Sequence, residues 1–293
     1  MNTWLFKTLQ PFGASARAVV SVLVLTCPVV SRAATATVQG LTCAEMEEFL
    51  RLGKIGEKKN ISHGVTLPSR ATLEYQGMVH DAAIQTVEIS KSYYQTNSGS
   101  EINFRDSWKY NVAGYELAKI LELNMVPPYV ERSIGGQPAS FSWWIDNAMM
   151  ELDRRHHKRA VPDIEAWNRQ MYAVRVWHEL IYDTDPNLTN LLITKDWQLW
   201  IIDFTRAFRL HKQLRDSRNL VQCDRKLLAK LRILDRDMLR EKLSRWLTNP
   251  EIDGLVARAG IIVRFFDKEA AMDGESAVFY DFPRSQQACG VGL

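Results

Sequence analysis

Two short stretches decide how this chain is read: Asp185-Pro186-Asn187-Leu188-Thr189-Asn190, and Ile201-Ile202-Asp203-Phe204-Thr205-Arg206-Ala207-Phe208. The first sets a carboxylate and a carboxamide five positions apart in a loop rich in turn formers. The second ends an apolar strand on a lone Asp, thirteen positions after Asn190. A carboxylate next to an apolar strand core is costly unless a cation or hydrogen-bond donors meet it. Phosphoryl transfer from a nucleotide asks for this set. One carboxylate serves the attacking hydroxyl, and an amide oxygen plus a second carboxylate hold divalent metal on the phosphates. Taken alone, Asp185 and Asn190 read equally well as an Asx-type turn; it is the addition of Asp203, in order and at this spacing, that favours the site.

Working outward, Pro162 or Asp163 opens a helix whose apolar stripe runs through Trp167, Met171, Val174 and Leu180. Residues 191–194 and 199–203 read as a short hairpin around Lys195-Asp196, and helices follow over 225–234, 236–247 and 250–259. Upstream lie a lead-in helix over 43–52, strands over 53–61, 69–75 and 78–89, and a polar loop over 90–101. Asp106 is placed to cap a helix reaching about 123, which Pro127-Pro128 stops. Strands over 129–134 and 139–145 then flank the Gly135-Gly136 turn. The layout is α+β and bilobal. It has a sheet-rich small lobe with one helix over 34–146, a mainly helical large lobe over 147–271, and a mobile tail over 272–293.

These residues, in this order, resemble the atypical kinases, a group that includes phosphatidylinositol 3-/4-kinases, HipA-type bacterial kinases and the secretory-pathway kinases of the Golgi. The 185–190 stretch is similar to their catalytic-loop pattern D-R-x-x-x-N, and 199–208 to their I-D-[HFN]-[SG]-x-[AS]-F strand and turn. Tyr110 to Leu117, followed by Met125-Val126-Pro127-Pro128, is similar to their small-lobe helix and V-P-P element. The resemblance implies a bilobal protein-kinase-like fold that binds ATP or another nucleotide with Mg²⁺ or Mn²⁺ and phosphorylates a hydroxyl-bearing acceptor. It casts Asp185 as the catalytic carboxylate and Asn190 and Asp203 as metal ligands. The backbone of Gly64 and Val65, with Thr66, would cover the phosphates, although an ordinary hairpin turn explains that segment equally.

The resemblance also exposes a departure. Where such kinases carry a strand Lys paired with a helix Glu, this chain aligns Gln85 and Asn111. An amide pair can still hold helix to strand by hydrogen bonds, but it offers the phosphates no positive charge. Lys91 and Glu116 are substitutes on sequence grounds, though ordinary exposed side chains serve as well. Arg206 reads as the partner of an acidic loop residue or of a phosphate. The expectation is therefore an atypical ATP-dependent phosphotransferase. The alternative is a pseudokinase, a nucleotide-sensing or scaffolding module with a partner protein. A non-kinase envelope protein would leave the 185–203 spacing to chance. The stretch after Phe208 is basic and lacks a long activation segment, which disfavours a standard eukaryotic protein kinase.

The remaining signals set bounds. A net charge of +3 over 293 residues does not imply nucleic acid. Lys7 and Arg17 precede an uncharged stretch over 18–31, with Ser31, Ala33, Ala34 and Ala36 after it. That is the layout of an export signal over 1–33, cleaved after Ala33 or Ala36. Its apolar part is short of the roughly 18 residues that span a bilayer, so no transmembrane segment is expected. Cys27 fits a lipoprotein cysteine poorly beside Thr26 and Pro28. Cys43, Cys223 and Cys289 form no metal-ligand spacing and permit one bridge. His178-Glu179 has Tyr182 where a zinc protease needs its second His, and His156-His157 lies in a polar run.

Overall fold

The computed structural model describes residues 40–60, 68–96 and 99–282. The expected export signal and Gly64, Val65 and Thr66 lie outside the described residues. Thr42 opens helix α1 (Cys43–Leu52) with a capping box, its side chain and that of Glu45 each meeting the other's backbone amide. Met46, Phe49 and Leu50 supply the buried stripe. There follow β1 (Lys54–Asn60), β2 (Ser69–Tyr75), β3 (Met78–Gln85), β4 (Glu88–Thr96), β5 (Gly99–Ser107), α2 (Lys109–Ile120), β6 (Tyr129–Ile134) and β7 (Gln137–Trp143). Five of these strands make one antiparallel sheet in the order β1-β2-β3-β7-β6, and β4 and β5 pair only with each other. Alternation along β3 buries Met78, His80, Ala82 and Ile84, and the sheet closes on α1 through Phe49, Leu73, Phe141 and Trp143.

The second half adds β8 (Met149–Met150), α3 (Glu151–His156), α4 (Ile164–Ile181), β9 (Leu191–Ile193), β10 (Leu199–Ile201), β11 (Cys223–Asp224), α5 (Arg225–Arg232), α6 (Arg236–Leu243), α7 (Asn249–Asp273), α8 (Glu275–Val278) and β12 (Phe279–Tyr280). A larger core gathers α4, α5, α6 and α7 around Trp177, Phe204, Phe208, Leu255 and Phe266, each fully buried aromatic or aliphatic side chain contributing about 1.5–3 kcal/mol. Helix α2 joins that core through Ala113, Tyr115 and Leu117, although it follows the sheet-region strands in sequence. Side chains pin it on several sides. Tyr115 Oη donates to Glu47 at 2.9 Å on α1, Lys119 Nζ lies 3.0 Å from the same carboxylate, and Tyr110 Oη donates to Glu251 on α7.

The structure departs from the sequence reading in four places. Residues 90–96 and 99–101 are not a loop but lie in the paired strands β4 and β5. Two-stranded and largely solvated, the hairpin carries polar residues on both faces and so hides its alternation. Asp106 does not cap α2; it lies in β5, and Ser107 Oγ instead accepts from Lys109 N at 3.3 Å. Helix α7 runs on to Asp273, and residues 275–280, expected in a mobile tail, form α8 and β12, which pairs with β11 in parallel. The Asp153-to-Arg159 run is partly helical because buried Glu151 collects Arg154 and Arg155. Both His156 and His157 stay exposed.

Candidate active site

Helix α4 is capped by Asp163 and ends at Tyr182, whose φ of +49° turns the chain sharply. Asp183 then organises the loop. Buried, it accepts from Asp185 N at 3.0 Å and meets His178 Nδ1 at 2.9 Å. Asn187 caps the turn over Leu188–Asn190 by accepting from Thr189 N at 2.9 Å. The Asn190 carbonyl accepts from Ile202 N at 3.0 Å, so the two candidate metal ligands sit on segments joined one residue before Asp203. Among the described residues, the Asn190 side-chain oxygen accepts only from Thr189 Oγ1, at a long 3.5 Å, which leaves it acceptor capacity. Thr184 N and Oγ1 both donate to the Arg206 carbonyl, at 3.2 and 3.0 Å, which brings the Asp185 loop against the turn after Asp203.

Asp203 leaves the strand with a φ of +60°, uncommon outside glycine and tolerated best by Asn and Asp. Its amide donates to Tyr129 Oη at 3.3 Å, and its carboxylate accepts from Thr205 Oγ1 at 3.1 Å, with the Gln85 amide beside it. Asn111 closes the ring: its Nδ2 donates to Gln85 Oε1 at 2.5 Å and its Oδ1 accepts from Phe204 N at 2.7 Å. The sequence-aligned pair on β3 and α2 therefore meets, and meets at Asp203. Burial pushes the Asp203 carboxyl above its usual range. The Gln85 and Thr205 donors oppose that, and the carboxylates of Asp106 and Asp183 add to it. Gly114 is required here, because a Cβ on it would lie 2.6 Å from Phe204 Cδ2.

Asp185 is exposed, with Arg206 Nη1 at 3.4 Å. Arg206 Nε donates to Asp106 at 3.0 Å. Burial works against its charge, and the Asp106 and Asp185 carboxylates outweigh that and raise its pKa. Asp106 is the residue the sequence reading misplaced. It is 1% exposed on β5, and its signal was a carboxylate on the inward alternation of a strand read as loop. Neither substitute for the strand Lys and helix Glu enters the ring. Lys91 lies over the Tyr94 face on the exposed hairpin, and Glu116 pairs with Lys119 at 2.9 Å.

Comparison with solved structures shows the fold. The chain superposes on the Fam20 protein of hydra, solved with sugar, with a TM-score of 0.61, covering 82% of this chain and 92% of that one at 12% identity. The Golgi casein kinase matches with a TM-score of 0.60, 82% and 80% coverage and 11% identity. Its form with Mn and ADP bound matches at 0.58, 83% and 80% coverage and 12% identity. The fold is that of an atypical kinase. No family model matches the sequence, and no curated protein matches it by sequence.

Within a kinase-like fold, the donor set can be tested for a metal. Among the described residues, no three His, Cys, Asp or Glu side chains could hold an ion unaided. Asp203 and Asn190 offer one carboxylate and one amide oxygen, hard donors suited to Mg²⁺ or Mn²⁺, whose remaining positions are ordinarily filled by water and phosphate. The raised Asp203 carboxyl fits that role: a cation is the partner its neutral donors do not supply.

Proposed function

We propose that this chain is an atypical nucleotide- and metal-dependent phosphotransferase that transfers a phosphoryl group to a hydroxyl of a protein, lipid or small molecule. The observation that carries this reading is the half-buried Asp203 carboxylate, held by neutral donors with its pKa raised, on the segment bonded to Asn190. Asn190 and Asp203 would hold Mg²⁺ or Mn²⁺, which supplies charge neutralisation on the phosphates when bound. Asp185, exposed beside the same turn, orients or deprotonates the acceptor hydroxyl. Gln85 and Asn111 hold Asp203 and Phe204 in register from β3 and α2, a positional role in place of a charged one. Gly64, Val65 and Thr66 remain the proposed phosphate-covering segment.

The pseudokinase reading rests on the same ring. An Asp203 carboxylate already satisfied by Gln85 and Thr205 serves a scaffold as well as a catalyst. Export fits either reading: Cys43 is disulfide-bonded, which belongs to an oxidising compartment, and the 1–33 segment has the layout of a signal. The deciding experiment is a thermal-shift titration of the chain from Ala34 onward with ATP and GTP, with and without Mg²⁺ or Mn²⁺. A metal-dependent rise, abolished in Asp203→Ala and kept in Asp185→Asn, supports the nucleotide and metal site, and turnover of ATP that is lost in Asp185→Asn then separates the enzyme from a nucleotide-sensing pseudokinase. No rise under any combination overturns it and turns attention to a partner protein.

A further inference from the structure

Among the described residues the β4–β5 hairpin belongs to no larger sheet, and a two-stranded hairpin is marginal by itself. Yet its β5 side is fastened to the turn after Asp203. Ser107 N donates to the Thr205 carbonyl at 2.8 Å, and Asp106 accepts from Arg206 Nε at 3.0 Å. Glu101 lies 2.5 Å from Arg209 Nε. Phe104 packs under both guanidinium groups, 5.5 and 5.6 Å from its ring centre. Arg206 is the member of this clamp that continues onward, from buried Asp106 to exposed Asp185. A guanidinium is a rigid fork, so the atom fixed by one carboxylate fixes where the other carboxylate is met.

We propose that Arg206 is a positioning residue for Asp185, that Asp106 is its anchor, and that the hairpin thereby sets the orientation of the acceptor-side carboxylate. This rests on the acceptor role proposed for Asp185. The arrangement has a direction. Asp106 is buried and its Oδ1 has no hydrogen-bond partner among the described residues, so it is spent on Arg206 and has little freedom to move. Asp185 is solvated and would otherwise sample its rotamers. A Lys at 206 could reach one carboxylate but not hold both in a fixed relation.

The test compares Asp106→Asn and Arg206→Lys with the parent chain by hydrogen exchange over 88–107 and 183–190. Mn²⁺–ADP affinity and the kcat of Mn²⁺–ATP hydrolysis, with water as acceptor, are read on the same variants. The expected result is faster exchange in both segments together, by about ten-fold, with kcat reduced about ten-fold or more and ADP affinity within about two-fold of the parent. Removing Arg206 alone would strand Asp106 as a buried charge. The paired Arg206→Met, Asp106→Leu variant avoids that and should loosen 183–190 without global unfolding. Exchange at 183–190 that is unchanged in Asp106→Asn overturns the proposal, whatever the activity. A parent chain that neither binds Mn²⁺–ADP nor hydrolyses ATP overturns the phosphotransferase reading instead, and the exchange data still decide whether the clamp exists.

Discussion

The Asp203 turn is held from two sides by opposite chemistry. On the helical side, buried ions grip backbone. Arg258, 0% exposed on α7, donates to the carbonyls of Leu180 at 2.7 Å and Arg209 at 3.0 Å, and to that of His211. Glu179, on α4, accepts from the amides of Arg215 and Asp216 at 2.8 and 3.1 Å. On the side of the five-stranded sheet and α2, the groups that meet Asp203 and Phe204 are neutral: Gln85, Asn111 and Tyr129, with Thr205 of the turn itself. Arg258 has carbonyls in place of a carboxylate, and burial lowers its pKa to about 10, so it stays charged at neutral pH. Ions thus fix the segment that follows Asp203, while amides leave Asp203 itself short of positive charge. A frame that rigid around a carboxylate that poor in cations supports the metal role proposed for Asp203.

The comparison is broken most directly at Asp203. Asp203→Ala is expected to remove the whole metal-dependent thermal shift with nucleotide, while Asp203→Asn should raise the melting temperature of the metal-free chain. The sign follows from linkage. The folded-state pKa is raised above the usual 3.8, so the native state keeps a proton that the unfolded chain has lost. Stability therefore falls as pH rises from the unfolded value through the folded one, and the Asn variant escapes that loss. Melting curves from pH 4 to 8 check it; an Asn variant less stable than the parent throughout would contradict the assignment. Next in size, Arg258→Met leaves three carbonyls without their donor and is expected to cost about 3 kcal/mol by urea unfolding, with faster exchange over 207–216. A cost under about 1 kcal/mol would mean the ionic side is ornamental.

Gly114→Ala should cost about 1–3 kcal/mol, because a methyl 2.6 Å from Phe204 Cδ2 forces the aromatic ring or α2 to move. Loss of metal-dependent nucleotide binding in that variant, beyond the stability loss, would tie Phe204 packing to the site. The smallest change sharpens the neutral side. Gln85→Lys places an ammonium by Asp203 and should alter stability by less than about 1 kcal/mol, lower the Asp203 pKa and reduce the dependence of nucleotide binding on metal. Isothermal titration with and without Mn²⁺ reads it; an unchanged metal requirement would show that the missing Lys is not what the cation replaces.

How much of this was legible depended on the range of the forces involved. The α1, β2 and β6 boundaries followed from local patterning: the apolar spacing of Met46, Phe49 and Leu50, the strand-like run 69–75, and the Gly135-Gly136 turn. The β4–β5 hairpin was not legible, since its polar faces and lack of a sheet partner erase the signal that burial writes into sequence. For the same reason Asp106, its carboxylate spent on an Arg one hundred residues later, looked like a helix cap. The Gln85–Asn111 pair could be aligned from sequence, but its engagement of Asp203 and Phe204 joins residues far apart in the chain and needed the fold.

By itself the sequence determined the kinase-like architecture and the order of its chemistry, because a carboxylate, an amide and a second carboxylate at fixed spacing leave few local conformations that use them. Tertiary structure alone decided which carboxylates are buried, which are paired, and which lack a cation. Asp183, Asp185, Asp203 and Asp106 are the same side chain in the sequence. They differ only in what surrounds them: His178 for the first, solvent and Arg206 for the second, neutral amide and hydroxyl donors for the third, and Arg206 at a buried position of β5 for the last. Desolvation and charge pairing depend on neighbours brought from other elements, so the charge state and partners of each carboxylate are set only once the chain has folded.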